Sequence, residues 1–143
     1  RPELLQEASR RYGAQCIVLS IEAKRVPGGW EAYIDAGRQS TGLDVLDWVK
    51  RAVALGVGEV LVTSIDHEGV RKGYDLALTS AISSCIDVPV VACGGAGDTE
   101  HVLAVIKSGK ADAVTFASIL HYNKTGISQI KTFLNQNGIA VRR

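Results

Sequence analysis

The sequence contains no methionine, not even at its first position, and it begins inside a stretch that reads as a helix. It is therefore expected to be a piece of a longer chain. Cysteine is scarce: Cys16, Cys85 and Cys93 are odd in number and lack CxxC spacing, which excludes a disulfide framework and a zinc pattern. Three free, mostly buried thiols of a reducing cytosol are expected. Long apolar runs are missing too, and none approaches the ~20 residues of a membrane-spanning helix. The opening Arg1-Pro2-Glu3-Leu4-Leu5-Gln6-Glu7 has two acids and no apolar core of signal-peptide length, so a cytoplasmic location without membrane contact is expected. No charge sign dominates, since 16 Lys and Arg face 15 Asp and Glu for a formal charge of +1. That balance argues against nucleic acid as a partner but leaves room for a small anion site.

What is there is globular in composition, with 46% hydrophobic and 22% charged residues. A length of 143 residues suits one domain. It is short of the ~250 residues of an ordinary (β/α)8 barrel. Leu4, Leu5 and Ala8 form a helical stripe after Pro2 and before Gly13, which predicts a helix over 1–12. The apolar run 16–21 predicts a strand buried on both faces. Pro27-Gly28-Gly29 signals a turn, and residues 23–40 read as an excursion carrying a small β-hairpin. Thr41 and Asp44 have capping-box spacing ahead of Val45, Trp48, Val49, Ala52 and Val53, so a helix is expected there, ending near Gly56. Further strands are predicted over 59–65, 88–93 and 113–117. Helices are predicted from about 75 to 84, from Asp98 to near Gly109, and from about 125 to 137. The order is one helix and then βα four times, which means a parallel sheet with right-handed crossovers.

Parallel α/β folds carry their chemistry beyond the C-terminal ends of the strands. Those positions hold Glu22, Lys24 and Arg25 after the first strand, and Thr63, Ser64, Asp66, His67 and Glu68 at the second. Cys93-Gly94-Gly95-Ala96-Gly97 follows the third, and Ala117, Ser118 and His121 the fourth. The glycine run lets backbone N–H groups approach an anion, and the next helix start favours negative charge. Ala117-Ser118 can open a short extra helix beside it, so the two loops together read as a phosphate site; a plain tight turn is the alternative. Glu22 and Asp66 can divide acid and base duties, or merely pair with Lys24, Arg25 or Lys72. His67, His101 and His121 have no metal-ligand spacing, and Cys93 has no identifiable base.

Several segments together resemble the cyclase subunit family of imidazole glycerol phosphate synthase. They are the run from Gln15-Cys16-Ile17 through Glu22-Ala23-Lys24-Arg25-Val26, Ser40-Thr41-Gly42, Gly58-Glu59 through Ile65-Asp66, Gly73-Tyr74-Asp75, Cys93-Gly94-Gly95-Ala96-Gly97, and Ala117-Ser118-Ile119-Leu120-His121. The resemblance is colinear over essentially the whole chain. It implies the C-terminal half of a (β/α)8 TIM barrel, (βα)4, in which the four strands are numbers five to eight. It implies ammonia delivered by a glutaminase subunit and closure of an imidazole ring on a phosphoribulosyl formimino-carboxamide ribonucleotide. The products are imidazole glycerol phosphate and an aminoimidazole carboxamide ribonucleotide, and no metal or organic cofactor is needed.

By the same resemblance Glu22 stands at the second of two catalytic aspartates, one methylene longer. Gly94, Gly95, Ala117 and Ser118 match phosphate loops, and Thr63 and Asp66 a substrate-facing rim. Glu59 matches a charged position near the ammonia entrance. Glu68 stands where aspartate is usual, and Ser40 where asparagine is common. Three other readings compete: a paralogue passing ammonia to another phosphorylated or nucleotide-linked substrate, a non-catalytic phosphate-binding half-barrel that self-associates, and the sister isomerase of the same pathway. A half-barrel exposes strand edges, so its expected partner is the missing N-terminal half or a second copy.

Overall fold

Backbone pairing in the computed structural model, which describes residues 1–142, follows the alternation of apolar runs along the chain. Helix α1 (Glu3–Tyr12) starts after Pro2 and stops at Gly13. A 3-10 turn leads into β1 (Val18–Val26), which folds back into β2 (Gly29–Ile34) and then β3 (Gln39–Asp44). Next come α2 (Val45–Ala54), β4 (Glu59–Ser64), α3 (Leu76–Ser83), β5 (Val90–Cys93) and α4 (Thr99–Lys107). The chain ends with β6 (Ala113–Val114), the short α5 (Ser118–His121) and α6 (Ile127–Gln136).

The sheet order is β3-β2-β1-β4-β5-β6. β1, β4, β5 and β6 are parallel neighbours, as four βα units require, while β2 and β3 add an antiparallel hairpin. The hairpin pairs with β1 only over residues 22–26, so it extends the sheet beyond the strand ends. Residues 18–21 pair with β4 alone.

Alternation along the strands places the core on one face. Leu19, Ile21 and Ala23 of β1, with Val60 and Val62 of β4, bury against Val45 and Val49 of α2 and Leu78 and Ile82 of α3. Burying each larger side chain of this kind is worth ~1.5–3 kcal/mol. A second cluster joins Ala92, Val102 and Val105 to Ile119, Ile130 and Leu134, fastening α4, α5 and α6 beneath β5. The helix starts are capped locally. Asp44, Asp75 and Asp98 each accept a backbone N–H three residues on, at 2.9 Å. Among the described residues, no helix is long and apolar enough to cross a membrane.

Four details differ from the sequence reading. β1 is not buried on both faces: Val18 is 49% exposed and Ser20 is exposed, because in this chain helices cover only one face of the strand. Thr41 is not a helix cap. It lies in β3 and donates its hydroxyl to the Ala32 carbonyl, leaving Asp44 as the cap. The last strand is two residues rather than five, because the chain leaves β5 after Thr115 N–H donates to Ala92 O, and turns into α5. The thiols are not mostly buried: Cys16 is exposed, and Cys85 and Cys93 are half-buried.

Candidate functional site

At the C-terminal ends of β5 and β6 lies a cleft of about 190 Å³. Gly94 and Gly95 line one side, Ala117 and Ser118 another, and Glu68, Arg71 and Thr115 complete much of the wall. Gly94 has φ +90° and Gly95 φ +104°, conformations that side-chain-bearing residues rarely adopt. Without side chains, these glycines leave their backbone open to close approach by an anion. The turn is also fixed from outside. Gly73 N–H donates to Gly95 O at 2.8 Å, and His67 Nδ1–H donates to Gly73 O at 2.7 Å. A Cβ on Gly95 would stand 2.1 Å from that same Gly73 oxygen. On the far side, Tyr74 donates its hydroxyl to the Thr115 carbonyl at 3.0 Å. Burial pushes the Tyr74 phenol pKa upward, with Cys93 and Glu68 adding to the shift.

Beside the cleft, strand register sets a row of side chains. Glu22 lies opposite Thr63, and Thr63 opposite Cys93. All three belong to the face away from the helices, since their strand neighbours Ile21, Ala23, Val62, Ser64 and Ala92 are buried. Two strand spacings of ~4.8 Å place the Glu22 backbone ~10 Å from that of Cys93, the residue before the glycine turn. A ligand anchored in the cleft thus has room for a short carbon chain before it reaches the Glu22 carboxylate. Asp66 is elsewhere: it is exposed, and its Oδ2 accepts the Arg25 backbone N–H at 2.8 Å. It braces the root of the hairpin by binding the backbone of Arg25.

The sequence-derived candidates therefore divide. Gly94, Gly95, Ala117 and Ser118 meet around one cleft. Glu22 and Thr63 share the adjoining row, and Asp66 points its carboxylate to the hairpin. Arg71, Thr115 and Phe116 also line the cleft and were not anticipated. Nothing in their spacing marks them: Arg71 arrives on the loop over 65–75, which folds onto the glycine turn, while Thr115 and Phe116 directly follow β6. Glu68, a weaker candidate by sequence, belongs to the cleft. The hairpin has its own lock: the Glu31 carboxylate accepts from the Ser40 hydroxyl and from Gly42 N–H, which holds its pKa below the ordinary glutamate value. It docks through Trp30, whose indole N–H donates to Asp75 at 3.2 Å while the Arg25 guanidinium stacks on its ring.

A family model described as histidine biosynthesis protein matches residues 1–126. The imidazole glycerol phosphate synthase subunit HisF of Synechococcus sp. (strain CC9311) is 48% identical over 147 aligned positions, covering 99% of this chain and 56% of the relative. The chain thus spans about half the length of the curated relative it matches. Its parallel βα units, its one-sided core and its match over most of the sequence place the chain in the histidine biosynthesis protein family, as half of a TIM barrel.

Proposed function

We propose that this chain is one (βα)4 unit, strands five to eight, of an imidazole glycerol phosphate synthase cyclase. The observation that carries the reading is the meeting of Gly94, Gly95, Ala117 and Ser118 around one cleft, one strand row from Glu22. In this reading the cleft anchors one phosphate of a phosphorylated substrate. Thr63 lines the path between the anchor and Glu22. The Glu22 carboxylate takes and returns protons while ammonia adds and the imidazole ring closes. The other half of the barrel supplies a second carboxylate and a second phosphate site. A glutaminase subunit supplies ammonia at the opposite end of the sheet, where Glu59 opens β4. Ammonia forms the new C–N bonds of the ring while water and the aminoimidazole carboxamide ribonucleotide leave; these steps need proton transfers but no cofactor, and the setting is the cytoplasm.

The test is turnover of the complete protein with ammonia and the phosphoribulosyl formimino-carboxamide ribonucleotide. Glu22→Gln is expected to abolish ring closure while substrate binding persists. Undiminished turnover in Glu22→Gln refutes the assignment. One observation favours a second reading, a paralogue with another substrate. Glutamate reaches ~1.5 Å further than aspartate, a single bond length, and a ~1 Å misplacement can cost ~10²-fold in rate. Binding without turnover, with turnover gained in Glu22→Asp, selects the paralogue.

A further inference from the structure

The cleft is incompletely described by its glycines, because Glu68 brings a carboxylate to the same wall. An anion entering there meets a like charge, and backbone N–H groups alone offset it only in part. Among the described residues, Arg71 is the one cation lining the cleft. Its position is built rather than incidental. Arg71 holds φ +60°, uncommon for a residue with a side chain. Its carbonyl oxygen packs so closely on Gly97 that a Cβ there would stand 2.1 Å away. The loop carrying Arg71 is thereby fixed to the glycine turn through backbone contacts on both sides, at Gly97 and at Gly95.

The Arg71 side chain extends to the end of α5. The Arg71 guanidinium carbon lies 4.9 Å from the centroid of the Tyr122 ring. Tyr122 directly follows α5, whose first residue, Ser118, lines the cleft. The Tyr122 ring is exposed, so this stack is a weak one that a phosphate can outcompete. A guanidinium offers two parallel N–H donors to phosphate oxygens, which a lysine ammonium cannot do.

We propose that Arg71 is a direct ligand for the phosphate of a phosphorylated small molecule and sets the preference of the cleft for a phosphate dianion. Tyr122 is the surface on which the guanidinium rests between ligands. The proposal depends on the reading of the cleft as a phosphate anchor, and its test separates the two. Inorganic phosphate is titrated into the full chain while the amide resonances of Gly94, Gly95 and Ser118 are followed. The wild type is expected to saturate. Arg71→Gln weakens binding about tenfold to a hundredfold, the range for a lost charge-assisted hydrogen bond. Arg71→Lys regains part of the loss. Arg71→Gly, which suits φ +60°, gives the same weakening from a relaxed backbone and serves if the glutamine variant does not fold. Tyr122→Leu leaves affinity unchanged or raises it.

Saturation by the wild type with equal affinity in Arg71→Gln or Arg71→Gly overturns the role of Arg71 and spares the phosphate reading. A loss in Tyr122→Leu as large as in Arg71→Gln also overturns it, since the ring carries no charge. Absence of any shift at the three amides overturns both.

Discussion

Alanine at Gly95 should be among the most damaging small substitutions in the chain, and the reason separates sterics from backbone strain. Gly95 has φ +104°, and a Cβ there would lie 2.1 Å from Gly73 O and 3.2 Å from the His67 Cβ. The obstructing atom is a backbone carbonyl, held in turn by His67 Nδ1–H, so it cannot swing aside as a side-chain tip can. Three costs follow. The positive φ costs an L-residue ~1–2 kcal/mol. The Gly73 N–H bond to Gly95 O, 2.8 Å long, is lost or stretched, at ~0.5–1.5 kcal/mol. Displacing the packed loop costs a further ~1–3 kcal/mol, as overpacking usually does. The sum is about 2.5–6.5 kcal/mol, a large part of the ~5–15 kcal/mol of a typical domain.

Gly28 supplies the control. Its φ is +89°, close to that of Gly95, but nothing lies within 4 Å of its Cβ position. Gly28→Ala should cost only the strain of ~1–2 kcal/mol. Gly94→Ala should fall between, since its nearest obstacle, Glu68 Oε2 at 2.8 Å, is the mobile end of a side chain. Urea unfolding followed by circular dichroism measures all three. The reasoning fails if Gly95→Ala and Gly28→Ala agree within about 0.5 kcal/mol, the scale of ordinary surface substitutions. The same result has a bearing on site tests. Any side chain at Gly95 rebuilds the loop, so lost phosphate binding in such a variant reports on folding rather than on contact.

Two further predictions use the ionisable groups. Tyr74→Phe should cost ~1 kcal/mol near neutral pH by removing the donor to Thr115 O. The folded phenol pKa lies above its ordinary value of 10.0, so the stability it contributes is present below that pH and is lost as pH rises through the folded value. The wild type should therefore weaken more steeply in alkali than Tyr74→Phe, and a parallel decline refutes the assignment. For Glu31 the sign is opposite. Its folded pKa lies below the ordinary 4.5, so the hairpin lock is intact above that value and released as pH falls through the folded one. The Gly42 amide should lose exchange protection in acid, and already at neutral pH in Glu31→Gln; unchanged protection in the variant would show that the lock lies elsewhere.

The parts of this fold that could be read from sequence are those specified locally. The apolar run over 59–65 yields β4, and Asp75 and Asp98 cap their helices through bonds to the third residue on. β3 was not legible, because Gln39-Ser40-Thr41-Gly42-Leu43-Asp44 has no clean alternation of apolar residues. Its pairing is specified across the hairpin, by Glu31 with Ser40 and Gly42 and by Thr41 with the Ala32 carbonyl. The site shows the same division. The glycine turn and Ala117-Ser118 stood out because their residue types are what an anion loop needs. Arg71 did not, because it reaches the cleft only through a distant loop pinned at Gly95 and Gly97. For Asp66 the sequence shows a carboxylate at a strand end but not its backbone partner, Arg25 N–H, which comes from the neighbouring strand.

The division extends to what the chain can do alone. Every residue lining the cleft comes from 68–118, and the loop is fastened to the glycine turn through Gly73 N–H to Gly95 O and to the Thr115 carbonyl through Tyr74. Glu22 belongs to β1, where residues 18–21 have no strand on the side away from β4 among the described residues. Val18 stands 49% exposed on the face that carries Glu22. A carboxylate tuned for proton transfer needs a closed, water-poor setting, and this face is open. Phosphate binding should therefore be a property of the 143-residue chain by itself, whereas ring closure should require a complementary half that covers the open face. Adding that half should raise turnover from background and leave the affinity for inorganic phosphate within about threefold, less than one hydrogen bond is worth. Turnover by this chain alone at the rate of the assembled barrel would refute the argument, because it would place the whole catalytic apparatus on a face that the fold leaves to water.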